Sequence, residues 1–207
     1  MPPFLHQLRY ARPLEIMRFH KVSVRSFAAL VLLASFTVAQ TSQPKHQLDV
    51  PYVPTTEEAV KAMLKLADVK KTDAVYDLGC GDGRIVIAAA KEYGARGVGI
   101  DINPERIQEA EENAKKAGVE RLVRFEENDL FAADIHEASV VTLFLLSSVN
   151  LKLRPKLLRE LKPGTRIASN TFDMGDWKPD KELTLDGDDY GISHRFFLWI
   201  VPQRNEK

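Results

Sequence analysis

The sequence predicts an α/β domain: a mostly parallel seven-stranded sheet with helices on both faces and an antiparallel hairpin at its C-terminal end. Three observations carry this. Short apolar runs alternate with amphipathic stretches from Ala74 to Ala168, the pattern of βαβ units. The first run closes on a glycine turn, Asp77-Leu78-Gly79-Cys80-Gly81-Asp82-Gly83, directly ahead of a helical stretch. After Trp177 the pattern turns extended, with turn residues at Asp186-Gly187-Asp188-Asp189, which reads as a hairpin on one sheet edge.

The 207 residues hold one such domain plus an N-terminal extension, and an apolar fraction of 44% is that of a globular chain. Lys+Arg and Asp+Glu both number 29. No net field selects nucleic acid or a polyanionic surface, so no nucleic-acid partner is expected. Cys80 is the single cysteine, so it has no internal disulfide partner; inside a glycine turn it reads as the small side chain that fits.

Residues ahead of Met17 lack periodicity and read as an unstructured leader. Arg18, Lys21 and Arg25 then precede an uncharged, mostly apolar run from Phe27 to Ala39, a signal-peptide pattern. The run is shorter than the ~20 residues a spanning helix wants, although an uncleaved anchor stays open as the one route to membrane contact. Its upstream basic flank favours placing the chain beyond Ala39 outside the cytoplasm. Residues 1–39 are thus a leader, 40–49 a polar linker and 50–207 the folded domain.

Pro51-Tyr52-Val53-Pro54 makes a stiff lead-in. Thr55 or Thr56 caps a first helix whose stripe is Val60, Met63, Leu64 and Ala67, with Glu57 and Glu58 in its first turn. Ala74 to Leu78 is the first strand. The helix after the glycine turn runs to about Tyr93 and stops at Gly94. Gly97 to Asp101 is the second strand, and Asn103 caps a helix from Pro104 to Ala117 that Gly118 closes. Leu122 to Phe125 is a third strand leading to Asn128-Asp129-Leu130, and Ala138 to Leu145 a fourth, apolar as a strand buried on both faces should be. Leu151 to Leu161 is a helix interrupted near its start by Pro155, followed by a fifth strand, Thr165 to Ala168. Lys181 to Leu185 and His194 to Val201 form the hairpin.

Asp77, Asp101 and Asp129 fall at or just beyond the C-terminal ends of three successive strands, which in a parallel sheet share one rim. The acid ending the second strand suits two ribose hydroxyls, because one carboxylate can accept both hydrogen bonds. A dinucleotide fingerprint wants glycine three residues after its second glycine, and this chain has Arg84 there. A nucleoside without a pyrophosphate is therefore the expected ligand. His136 and His194 are too isolated in sequence to suggest a metal site.

These residues resemble a family. Asp77 to Gly83 is similar to the glycine motif of class I S-adenosylmethionine-dependent methyltransferases, whose fold is Rossmann-like. Gly97-Val98-Gly99-Ile100-Asp101 is similar to their ribose-binding strand and Asn128-Asp129-Leu130 to their adenine-side segment. More narrowly, Pro51-Tyr52-Val53-Pro54-Thr55, Val140 to Leu146 and Leu161-Lys162-Pro163-Gly164-Thr165-Arg166 resemble a small group of protein-lysine methyltransferases, archaeal and mitochondrial. The likeness runs from about Pro51 to Trp177.

The resemblance implies S-adenosylmethionine as cofactor. Asp77 would hold the methionine amino group, Gly79 and Gly81 would let the backbone pass beneath the cofactor, Asp101 would bind the ribose, Asn128, Asp129 and Leu130 would frame the adenine, and Cys80 and Ile102 would belong to the same cofactor site. Tyr52 and Thr55 either cover the cofactor or pin the lead-in. Phe144, Leu145 and Leu146 follow the fourth strand and would line an apolar channel, where desolvation helps a lysine amine, ordinarily near pKa 10.4, lose its proton. The Asn/Asp-Pro-Pro-Tyr motif of amide- and adenine-methylating branches is absent, so DNA adenine and glutamine are poor acceptors, and the resemblance to the lysine-methylating group implies protein lysine as the acceptor and a protein as the partner. A small-molecule methyltransferase and a non-catalytic nucleoside-binding module remain open alternatives. Localisation is unresolved: the leader suggests export or anchoring, whereas the cofactor suggests a domain on the cytoplasmic side.

Overall fold

The computed structural model describes residues 52–188 and 190–204; the leader and linker expected over 1–49 lie outside the described residues. The elements in chain order are α1 (Glu57–Leu66), β1 (Ala74–Leu78), α2 (Arg84–Tyr93), β2 (Arg96–Asp101), α3 (Pro104–Ala117), β3 (Val123–Glu127), β4 (Val140–Leu143), α4 (Ser147–Glu160), β5 (Arg166–Asn170), β6 (Lys181–Leu185) and β7 (His194–Ile200). They form one seven-stranded sheet in the order β3-β2-β1-β4-β5-β7-β6. β1 to β5 pair in parallel, while β7 runs antiparallel to both β5 and β6. The hairpin therefore completes one edge, as the extended C-terminal pattern predicts.

Strand order reverses between β1 and β4, and ligands of open α/β sheets bind beyond the strand C-termini at such a point. Asp77 lies there, with Gly99 of β2 on one side and Thr142 of β4 on the other. Each sheet face buries its own apolar layer. On one, Val75, Val140, Ala168 and Phe196 pack with Val60, Met63 and Leu64 of α1 and Val86 of α2. On the other, Leu78, Val141, Leu143, Ile167 and Trp199 pack with Val149, Leu153 and Leu157 of α4. Thr56 caps α1 by accepting the Ala59 N–H, and Asn103 caps α3 by accepting that of Glu105.

The largest departure from expectation is α4. It starts at Ser147 rather than Leu151 and runs unbroken through Pro155. Val149, Leu153 and Leu157 form an i, i+4, i+8 buried stripe that sets its true length. Pro155 and Leu151, whose carbonyl loses its usual partner, both lie on the exposed side, where water can accept that loss. β4 is shorter than expected: beyond Leu143 the chain leaves the ladder. The third, fifth and last strands shift by one or two residues, and β5 extends to Asn170.

Candidate functional site

Beyond the C-termini of β1, β2 and β4 lies a cleft with about 1040 Å³ of empty space, opening to solvent. Its lining brings together Tyr52, Thr55, Asp77, Gly79, Cys80, Gly81, Asp101, Ile102, Asn128, Asp129, Leu130, Phe144 and Leu145. Leu146, expected with them, is not in the lining. It is the N-cap residue of α4 and packs against the core on that face. Asp82, Arg84, Arg106 and Val149 line the cleft without having been expected there.

The floor is the glycine turn. Gly79 and Gly81 have φ of +86° and +52°, a region L side chains avoid. A Cβ on Gly81 would stand 2.4 Å from the Tyr52 ring, and one on Gly79 2.9 Å from Leu145. The backbone thus passes close under both the lead-in and the β4 end. Gly81 N–H donates to Asp101 Oδ2 and Asn103 N–H to Asp101 Oδ1, each at 2.9 Å. Each carboxylate oxygen keeps a lone pair for a further donor, which fits a vicinal diol. Asn128 is tied to the same strand end, its N–H donating to the Asp101 carbonyl at 2.9 Å. Asp129 spends Oδ1 on the Phe131 N–H at 2.8 Å, a local turn role.

Asp77 is 2% exposed and accepts one hydrogen bond, from Thr142 Oγ1 at 2.7 Å. Burial pushes its carboxyl up to about 7, against the Thr142 hydrogen bond and with help from the Asp101 charge. A carboxylate so placed favours a cation beside it, and an α-ammonium meets that need. Burial foremost, then the charges of Asp77 and Asp101, raises the Cys80 thiol above its usual range. It is an inert wall.

Tyr52 to Thr55 lies across the cleft as a strap. Arg84 Nη1 donates to the Thr55 carbonyl at 2.6 Å, and its other nitrogens fork onto Asp82, the closest at 2.5 Å. Burial alone would raise Asp82, but the hydrogen bonds and charge of Arg84 hold its carboxyl below the usual range. The Arg106 guanidinium lies 4.8 Å from the centroid of the Tyr52 ring, a cation–π contact. From the other side, Asp188 of the β6–β7 turn bonds Thr56 and accepts from Tyr190 N–H, Ile192 N–H and His194 Nε2. Chiefly through the His194 bond, its carboxyl is held down at about 2. His194, isolated in sequence, is thus buried against an acid close to the strap.

Sheet order, cleft and acid placement together define a Rossmann-like, S-adenosylmethionine-dependent methyltransferase. A family model described as the ANTKMT methyltransferase domain matches residues 77–181, and the chain belongs to that family. A protein-lysine N-methyltransferase of Saccharolobus islandicus (strain REY15A) is 47% identical over 155 residues, 74% of this chain and 95% of that protein. An adenine nucleotide translocase lysine N-methyltransferase of Mus musculus is 36% identical over 134 residues, 64% of this chain and 58% of its own length. Among solved structures, one from Salinibacter ruber described as an RNA methyltransferase in complex with S-adenosyl-L-homocysteine is 53% identical. It has a TM-score of 0.70 and covers 75% of this chain and 97% of its own.

Proposed function

We propose that the chain methylates the ε-amine of protein lysine. The observation that carries this reading is the change in character along the cleft: acids gather at one end, whereas its β4 side is walled by Phe144, Leu145 and Val149. Polar groups there would grip an amide or a base; an apolar wall instead desolvates an aliphatic amine and favours its neutral form. The Saccharolobus and Mus musculus relatives, both named for lysine methylation, support it.

In this reading Asp77 takes the cofactor's α-ammonium and Asp101 its ribose hydroxyls. Gly79, Cys80 and Gly81 form the floor, Ile102, Asn128, Asp129 and Leu130 frame the adenine, and Tyr52 and Thr55 close over it. When bound, the cofactor supplies a sulfonium methyl to the amine lone pair, the C–S electrons staying on sulfur, and the methylated ammonium sheds a proton to water. The protein's own task is alignment and exclusion of water. The leader forms part of the same proposal: residues 1–39 direct the chain, 40–49 link and 50–207 fold. A fusion of residues 1–45 to a reporter active only after export tests it, and a silent reporter would overturn export.

The acceptor test incubates the purified chain with labelled S-adenosylmethionine and, separately, lysate protein and lysate RNA, followed by hydrolysis to single residues. Label in methyl-lysine is the expected result. The description of the Salinibacter structure favours RNA as a second reading. Label confined to nucleosides would replace the first reading with the second.

A further inference from the structure

We propose that Phe172, with Phe144, forms an aromatic wall along which the acceptor lysine enters, and that Asn150 is the positioning residue that sets it. This rests on the lysine reading above. Phe144 lines the cleft, and its ring stacks on Phe172 with centroids 6.1 Å apart and planes at 29°, within the range of favourable aromatic pairs. Both rings stay partly exposed, so together they carry the apolar surface outward from the cleft. Phe172 follows β5, the neighbour of β4 in the sheet.

The backbone that presents Phe172 is held on purpose-built contacts. Thr171 has φ +68°, a costly conformation for a β-branched residue. Phe172 N–H donates to the Asn170 carbonyl at 2.8 Å. Ser169 Oγ donates to the Phe172 carbonyl at 2.6 Å. Asn150, fully buried on α4, donates Nδ2 to Ser169 Oγ and to the carbonyls of Phe172 and Asp173 at 3.1–3.3 Å. Its Oδ1 has no hydrogen-bond partner. An amide kept in a core with half its capacity unmet costs stability relative to an apolar residue. What it secures is the turn under Phe172.

The chemistry suits lysine at both ends of the reaction. A lysine arrives as an ammonium, and an aromatic face attracts it while the surrounding apolar surface weakens its hold on the proton. Methylated products are again cations, and the same faces retain them for a further round. The wall therefore bears on acceptor affinity and on the degree of methylation.

The test uses the full chain with S-adenosylmethionine and poly-L-lysine, comparing wild type with Phe172→Ala, Phe172→Leu and Asn150→Ala. Cofactor affinity is measured by calorimetry and methylation state by mass spectrometry. Phe172→Ala is expected to raise the acceptor KM ~10-fold with cofactor affinity unchanged. Phe172→Leu keeps the apolar bulk but not the π face, and is expected to shift product from di- and trimethyl- toward monomethyl-lysine at equal total label. Asn150→Ala should raise KM in the same direction with kcat little changed, a split that loss of fold stability alone would not give. If wild type labels poly-L-lysine while both Phe172 variants match it in KM and in methylation state, the wall is refuted and the lysine reading stands. If wild type labels no lysine in poly-L-lysine or in lysate protein, the lysine reading itself fails and takes the wall with it.

Discussion

Replacing Asp77 by asparagine should stabilise the cofactor-free protein and weaken the cofactor complex. Asparagine keeps the side chain's shape and an oxygen to accept from Thr142 Oγ1. It removes the charge that burial disfavours. The sign follows from linkage. The carboxyl titrates near 3.8 when unfolded and at about 7 when folded, so between those values the unfolded chain has released a proton that the folded chain still holds. Stability is therefore lost as pH rises through that window, and the penalty is complete above about 7. At about 1.36 kcal/mol per pH unit the full penalty is about 4 kcal/mol, an upper limit. Asparagine escapes it.

The assay is urea denaturation of wild type and Asp77→Asn across the pH range, with and without S-adenosylhomocysteine. Without ligand, the variant's advantage should approach about 4 kcal/mol at pH 8 and fall under about 1 kcal/mol at pH 4. With ligand that advantage should shrink, because the variant forgoes a hydrogen bond to a charged group, a contribution of about 1.5–3 kcal/mol. That corresponds to roughly 10- to 150-fold weaker binding by the variant. A stability difference that stays flat between pH 4 and pH 8 would refute the buried-charge argument. Unchanged affinity would refute the ammonium assignment.

The cleft yields three further expected outcomes. Gly81→Ala puts a methyl 2.4 Å from the Tyr52 ring at φ +52°, so calorimetry should show cofactor affinity falling at least ~10-fold as the strap is displaced. Arg84→Ala frees the Thr55 carbonyl and strips a mostly buried Asp82 of its partner. With the arginine itself 36% exposed, the loss should be about 1–3 kcal/mol by denaturation, less than for a fully buried pair. Asp82's depressed carboxyl lends wild type stability above its unfolded value that is lost as pH falls through the folded one; acid titration of Arg84→Ala should lack that contribution. Finally Cys80, 5% exposed with its thiol pushed up by burial, should resist a disulfide-exchange reagent at pH 8 until guanidinium unfolds the chain.

Much of the layout was legible because the signals are local. α3 runs from Pro104 to Ala117 as Asn103 and Gly118 dictate, and β1 runs from Ala74 to Leu78 with Asp77 one residue before its end, directly ahead of the glycine turn. The side-by-side placement of Asp77 and Asp101 followed from parallel strands sharing a rim. What stayed hidden depends on register and long-range contact. No spacing links Phe172 to Phe144, because β5 must first pair with β4. Pro155 looked like an interruption because its own local signal is strong, whereas the buried stripe that overrides it is set by packing on the sheet.

Arg84 shows the same division most sharply. In sequence it is the residue that breaks the dinucleotide glycine pattern, and it removes the pyrophosphate from consideration. In the structure its guanidinium holds the Thr55 carbonyl and Asp82 together, so the side chain that replaces the third glycine ties down the strap. A glycine there would free the helix to approach a phosphate pair but leave Thr55 unanchored. In the proposed reading, the departure from the pattern and the closure of the cleft are thus one structural choice: a nucleoside with no pyrophosphate would be covered by a segment of chain.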